Sequence, residues 1–192
     1  MMIRSFFAIP LSTEIIDEIF VVMKKIKSVL PKAPIKWVEP QNLHLTIKFL
    51  GNSSDKDLNI IKEQLQKEIH IFENFKLSFS NLDAFPSIRN PKVVWVGCIH
   101  NESLQRLFEI IENVCANINI PFENKPLSPH ITVARVKKSF TTEELEVFTK
   151  IISQFRTKEF GAQVVKGFSL LCSDLKPAGP VYTPKHKFMF SK

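Results

Sequence analysis

Glycine is scarce in this chain, five residues in 192, and neither a GxGxxG nor a GxxxxGK[ST] run occurs, so dinucleotide and P-loop chemistry have no local support. Cysteine is scarcer still. Cys98, Cys115 and Cys172 are odd in number and far apart, which gives neither a disulfide framework nor a zinc spacing and suits core thiols in a reducing compartment. No His/Cys/Asp/Glu cluster has metal-ligand spacing, so neither metal nor cofactor is expected. No apolar run approaches a bilayer span, and the opening stretch from Met1 to Leu11 is too short in apolar residues for a signal peptide. A soluble, cytoplasmic protein without membrane contact is therefore expected. Acidic side chains are outnumbered, 19 against 26 Lys and Arg, and the net +7 would draw an anionic substrate toward any positive cleft. An ordinary solvated basic surface accounts for most of these lysines.

Phenylalanine is abundant, with 17 residues, and an apolar content of 44% in 192 residues supplies a sizeable core for one domain, or two intimately packed lobes, over 1–192. The chemistry lies in a repeated pattern: His44-Leu45-Thr46-Ile47 and His130-Ile131-Thr132-Val133. In an extended strand alternate side chains share a face, so each His shares one with its own Thr while Leu45, Ile47, Ile131 and Val133 turn to the core. A single His-x-Thr reads as a surface pair. With 5 His and 8 Thr in the chain, however, chance would give only about 0.2 such spacings. If the two strands lie side by side, two imidazoles able to move protons and two hydroxyls able to hold oxygens converge on one small anion.

The rest of the chain alternates helices and strands. Strands are expected over Ile3–Ile9, Ile35–Val38, Leu43–Leu50 (closed by Gly51-Asn52), Phe75–Leu82, Val93–Ile99, His130–Val136, Gln163–Leu171 and Val181–Phe190. A helix behind Ser12 carries Ile15, Ile16, Ile19, Val22, Met23, Ile26 and Leu30 at helical spacing, another runs from Glu102 to about Asn117, and others follow Ser54 and Thr141. Ser54 with Asp57, and Thr141 with Glu144, have capping-box spacing. A loop is expected through Pro86 and Pro91, and a Pro-Gly turn at Lys176–Pro180. The order is α+β, its hairpin-like closures argue against a purely parallel sheet, and the two motif strands belong at the centre.

With both motifs in hand the chain resembles the 2H phosphoesterase superfamily, and within it the RNA 2',3'-cyclic phosphodiesterases, also called 2'-5' RNA ligases. The likeness rests on Arg4–Ile9, Trp37–Gly51, Ala84-Phe85-Pro86, Pro129–Arg135 and Gly179–Tyr182. It implies an α+β fold that is a single bilobal domain over 1–192, its two pseudo-symmetric lobes setting antiparallel or mixed sheets around a central groove with helices outside, one His-x-Thr coming from each lobe. The implied activity is metal-independent hydrolysis of RNA 2',3'-cyclic phosphate ends to 2'-phosphomonoesters by a monomer. Its partners would be RNA with such an end, tRNA fragments or small cyclic nucleotides. Reversible 2'-5' RNA ligation and non-catalytic RNA-end binding are the alternatives.

His44 and His130 would be catalytic, the resemblance suggesting His130 as base and His44 as acid, with Thr46 and Thr132 binding the non-bridging oxygens. Three further residues are candidates for substrate binding. Lys48 shares parity with His44 and either extends the positive face or is a solvated strand lysine. Arg135 resembles a substrate-contacting arginine, but its parity opposes His130, so only a bulge or twist would bring it round; otherwise it forms a structural salt bridge. Phe7 matches an N-terminal aromatic that stacks near the base, or else belongs to the core. The chain departs from the family pattern at Cys172-Ser173, where a glutamate usually precedes the serine, and at Pro177-Ala178-Gly179-Pro180.

Overall fold

The computed structural model describes residues 2–177 and 179–191. In chain order the elements are β1 (Met2–Pro10), α1 (Thr13–Val29), β2 (Ile35–Trp37), β3 (His44–Ser54), α2 (Asp55–Glu68), β4 (Phe75–Ser87), β5 (Asn90–Cys98), α3 (Glu102–Ala116), β6 (His130–Val136), α4 (Thr142–Ser153), β7 (Glu159–Val165), β8 (Gly167–Lys176) and β9 (Gly179–Met189). Both expected capping boxes form. Ser54 Oγ accepts from the Asp57 amide, Thr141 Oγ1 accepts from the Glu144 amide, and each acidic side chain returns to the cap amide. Ser12 occupies the N-cap of α1 without a side-chain cap bond.

The strands form one curled antiparallel sheet in the order β7-β4-β5-β6-β3-β1-β8-β9, with β2 pairing on β6. This order is a palindrome about the β6–β3 seam: β3 answers to β6, β1 to β5, β8 to β4 and β9 to β7. The motif strands are therefore central, as their apolar odd positions demand. At the seam the ladder is one pair, Leu45 opposite Ile131.

Two helices change sides. α1 follows β1 but packs on β7, where Gln163 binds the Pro10 carbonyl and the Ser12 amide and Lys158 pairs with Glu18. Likewise α3 follows β5 but packs on β3 and α2. The buried residues of both, Ile15, Ile19, Val22, Met23 and Ile26 in α1 and Leu104, Leu107, Ile111, Val114 and Cys115 in α3, join one core with the inward residues of the sheet.

Three boundaries differ from the sequence reading. The strand expected over Gln163–Leu171 is two strands, β7 pairing with β4 and β8 with β1 in the other half of the sheet. Gly167 makes the break: its φ is +155°, and a Cβ there would lie 2.0 Å from the Phe188 carbonyl oxygen, so only glycine fits the turn. The loop expected through Pro86 and Pro91 is a tight hairpin, because a register shift at Phe85/Pro86 absorbs the missing N–H. Gly51 does not end β3 but bends it, with φ +69° beside a register shift. Of the expected Lys176–Pro180 turn, Ala178 lies outside the described residues.

Candidate active site

Antiparallel pairing of Leu45 with Ile131 sets His44 across from Thr132 and Thr46 across from His130. All four side chains are half-buried on one face, and Leu45, Ile47, Ile131 and Val133 are buried on the other. Each imidazole is held the same way. His44 Nδ1–H donates to the Asn42 carbonyl at 2.7 Å and His130 Nδ1–H to the Ser128 carbonyl at 2.8 Å. A carbonyl only accepts, so Nδ1 carries the proton and Nε2 is the acceptor of the neutral ring. Burial pushes the His44 pKa below the ordinary imidazole value, with the Asn42 carbonyl partly opposing it.

Aromatic rings flank both. Phe6 and Tyr182 lie 5.0 and 5.2 Å from the His44 ring, and Phe85 and Trp95 lie 5.2 and 6.3 Å from that of His130. Phe85 stacks on Trp95 at 4.8 Å beside a hollow of about 280 Å³ that Asp83 and Arg156 also line. The Trp95 indole N–H is buried with no partner among the described residues.

The further candidates are sorted by a pair of bulges in equivalent places. β6 skips a residue at Val133 against β5, and β3 skips one at Ile47 against β1. Each bulge puts two consecutive residues, Val133 with Ala134 and Ile47 with Lys48, on the core side. Arg135 is thereby returned to the histidine face, exposed, where it and Arg4 partly offset the rise that burial causes in the Tyr182 pKa. The opposite happens to Lys48. The bulge turns it away from His44 to 2% exposure, where it pairs with Glu112 of α3, so it neither extends the positive face nor meets solvent. Phe7 is also off the site. It is buried on the core side against Phe168 and Phe188, and its neighbour Phe6 is the ring beside His44.

Sequence reading missed Phe6, Tyr182, Phe85 and Trp95. The signal for Phe6 was strand parity, since it precedes Phe7 on the face opposite the core. For Tyr182 no local signal exists, because its place depends on β9 folding back along β8.

Matching the LigT-like phosphoesterase model, residues 9–95 and 98–182 cover both motifs and both flanking aromatic sets except Phe6. The chain belongs to the LigT-like phosphoesterase family. Among its relatives is the RNA 2',3'-cyclic phosphodiesterase of Methanothermobacter thermautotrophicus, 31% identical over 98% of this chain and 99% of that protein. Among solved structures, TT0787 of Thermus thermophilus superposes with a TM-score of 0.78 at 28% identity over 97% of each chain. Escherichia coli LigT complexed with 3'-AMP gives a TM-score of 0.79 at 25% identity over the whole of both chains. The α+β architecture of this phosphoesterase is thus that of its family, with helices outside a curled sheet.

Proposed function

We propose that this phosphoesterase opens 2',3'-cyclic phosphate ends of RNA to 2'-phosphomonoesters with its two histidines and no metal. The observation that carries this reading is the twofold arrangement of the site, each imidazole fixed through Nδ1 and facing the other motif's threonine. Water attacks phosphorus opposite the 3' oxygen. His130 Nε2 takes the proton of that water while His44, protonated, gives one from Nε2 to the departing 3' oxygen, so the P–O3' bond breaks and the phosphate stays on O2'. Thr46 and Thr132 donate hydrogen bonds to the two non-bridging oxygens, where charge accumulates. Arg135 adds positive charge on the same face, and the Phe85–Trp95 pair offers a stacking surface for a nucleobase.

Assigning the acid to His44 has a consequence. Burial keeps this ring neutral in the free protein near pH 7, so it must take up a proton when the anionic phosphate arrives and displaces water. The uptake falls in the window between the depressed pKa of the free ring and the raised pKa of the complex. Calorimetry of 2',3'-cyclic AMP binding to the His130→Ala variant, in buffers of different ionisation enthalpy, should show net proton uptake near pH 7. Binding without uptake would remove His44 from the acid role.

The test of the function is product analysis. Protein treated with EDTA should still hydrolyse 2',3'-cyclic AMP and a cyclic-phosphate-ended oligoribonucleotide, and the product should carry its phosphate on O2'. A 3'-phosphate product, or loss of activity with the chelator, would reject this reading. Aromatic pairs beside both histidines also favour a second reading, in which a 5' hydroxyl with its own nucleoside replaces water and a 2'-5' bond forms. With matched RNA ends at ordinary concentration, hydrolysed product should exceed joined product.

A further inference from the structure

The β3–β6 seam that brings the motifs together holds one ladder pair, and His130 reaches it at the end of residues 117–129, a stretch with neither helix nor strand. That stretch is gripped from the far side of the seam. Lys48, two residues beyond Thr46, contacts Glu112 Oε1 at 2.7 Å with its Nζ, and the two side chains are 1% and 4% exposed. Each partner makes a further hydrogen bond to the stretch: Lys48 Nζ donates to the Pro121 carbonyl at 3.0 Å, and Glu112 Oε2 accepts from the Glu123 amide at 3.1 Å. Removing two charges from water is costly, and well-packed apolar residues of similar volume often serve stability as well or better. What apolar residues could not do is bind those two backbone groups.

We propose that the Lys48–Glu112 pair is a positioning device, fixing the segment that delivers His130 to the strand that carries Thr46. It acts through the backbone and touches no substrate. The same segment supplies the Ser128 carbonyl that orients the His130 ring and the Pro129 carbonyl that accepts from the Cys98 amide of β5, so slack at Pro121 and Glu123 is passed to the imidazole. A shift of an ångström in a proton-transfer group lowers turnover far more than it lowers phosphate binding. The inference rests on the phosphoesterase reading. An inactive wild-type protein would sink that reading, whereas an active wild type with unaffected variants would sink only this one.

The experiment compares wild type, Lys48→Met, Glu112→Met and the double variant for thermal stability, kcat, and affinity for the product 2'-AMP. Each single variant leaves one buried charge unpaired and should lose stability. The double variant should recover most of that stability yet keep kcat at least tenfold below wild type, with 2'-AMP affinity within threefold. Recovery of kcat together with stability would make the pair merely structural and overturn the proposal; so would a parallel fall in affinity. Glu123→Pro, at an exposed position, removes the amide N–H that Glu112 holds and leaves the Lys48–Glu112 contact in place, with Glu123→Ala as the control for the lost side chain. It should lower the melting temperature modestly and kcat severalfold with KM little changed, whereas Glu123→Ala keeps both, and an unchanged kcat in Glu123→Pro overturns the proposal even if the double variant does not fold.

Discussion

Replacing His44 or His130 by alanine should lower kcat by roughly 10² or more while cyclic phosphate binding stays within roughly tenfold. The asymmetry follows from what each group supplies. Holding the phosphate needs hydrogen-bond donors and positive charge, which the threonines and Arg135 retain in both variants. In the proposed mechanism turnover needs a proton removed from water and another delivered to the 3' oxygen, and each variant lacks one of these transfers. A non-catalytic RNA-end module would show no such separation, so equal retention of function in both variants would favour it. A substrate with sulfur in place of the 3' oxygen separates the roles, because a thiolate leaves without a proton. It should restore His44→Ala much more than His130→Ala. The reverse pattern would exchange acid and base, and equal rescue would show that neither ring has a dedicated role.

Thr46→Val and Thr132→Val should each cost roughly 10²-fold in kcat, with KM moved far less. Valine keeps the volume and the β-branch that suits the strand, so the backbone and the neighbouring histidine stay in place and the lost donor is isolated. The hydroxyls matter most when phosphorus is pentacoordinate, since charge on the non-bridging oxygens is then greatest. The double variant should lose less than the product of the two single losses if both donors serve one charge distribution. A rise in KM with kcat unchanged would show instead that the threonines bind the ground state alone. Circular dichroism and thermal melting would establish that each variant is folded.

The site's centre was legible in the sequence because strand parity is a local rule and the motif occurs twice. Its edges were not, and two bulges explain why. By strict alternation Lys48 belongs on the histidine face and Arg135 does not, and a one-residue shift at Ile47 and at Val133 reverses both. Neither bulge carries a glycine to announce it. The extra core-side residue is accommodated in each case: Lys48 finds Glu112 there, and Ala134, flanked in the sheet by Trp37 and Val94, is small and fully buried. Element order was readable from caps and periodicity, whereas Gly167, the one local sign of a division in the run from Gln163 to Leu171, does not say that the two parts pair in different halves of the sheet. Which helix covers which half was likewise beyond local pattern, since α1 and α3 carry ordinary amphipathic stripes whatever sheet they meet.

The exchange of α1 and α3 across the seam bears on how such a chain could have arisen and how it could be cut. A half-length chain with one His-x-Thr strand would keep one helix on its own sheet, α2 on β3 or α4 on β4, and present another, α1 or α3, with nothing of its own to cover. Two copies would supply each other's missing layer, and the pair would bring two histidines and two threonines to a shared axis. Fusing them end to end gives the present order only with a permutation, because β8 and β9, which answer to β4 and β7, follow the second motif in the chain yet pair beside β1. By the same geometry, severing the chain in the β4–β5 hairpin should yield two pieces that fold only when mixed, and catalysis should return with second-order kinetics as they find one another.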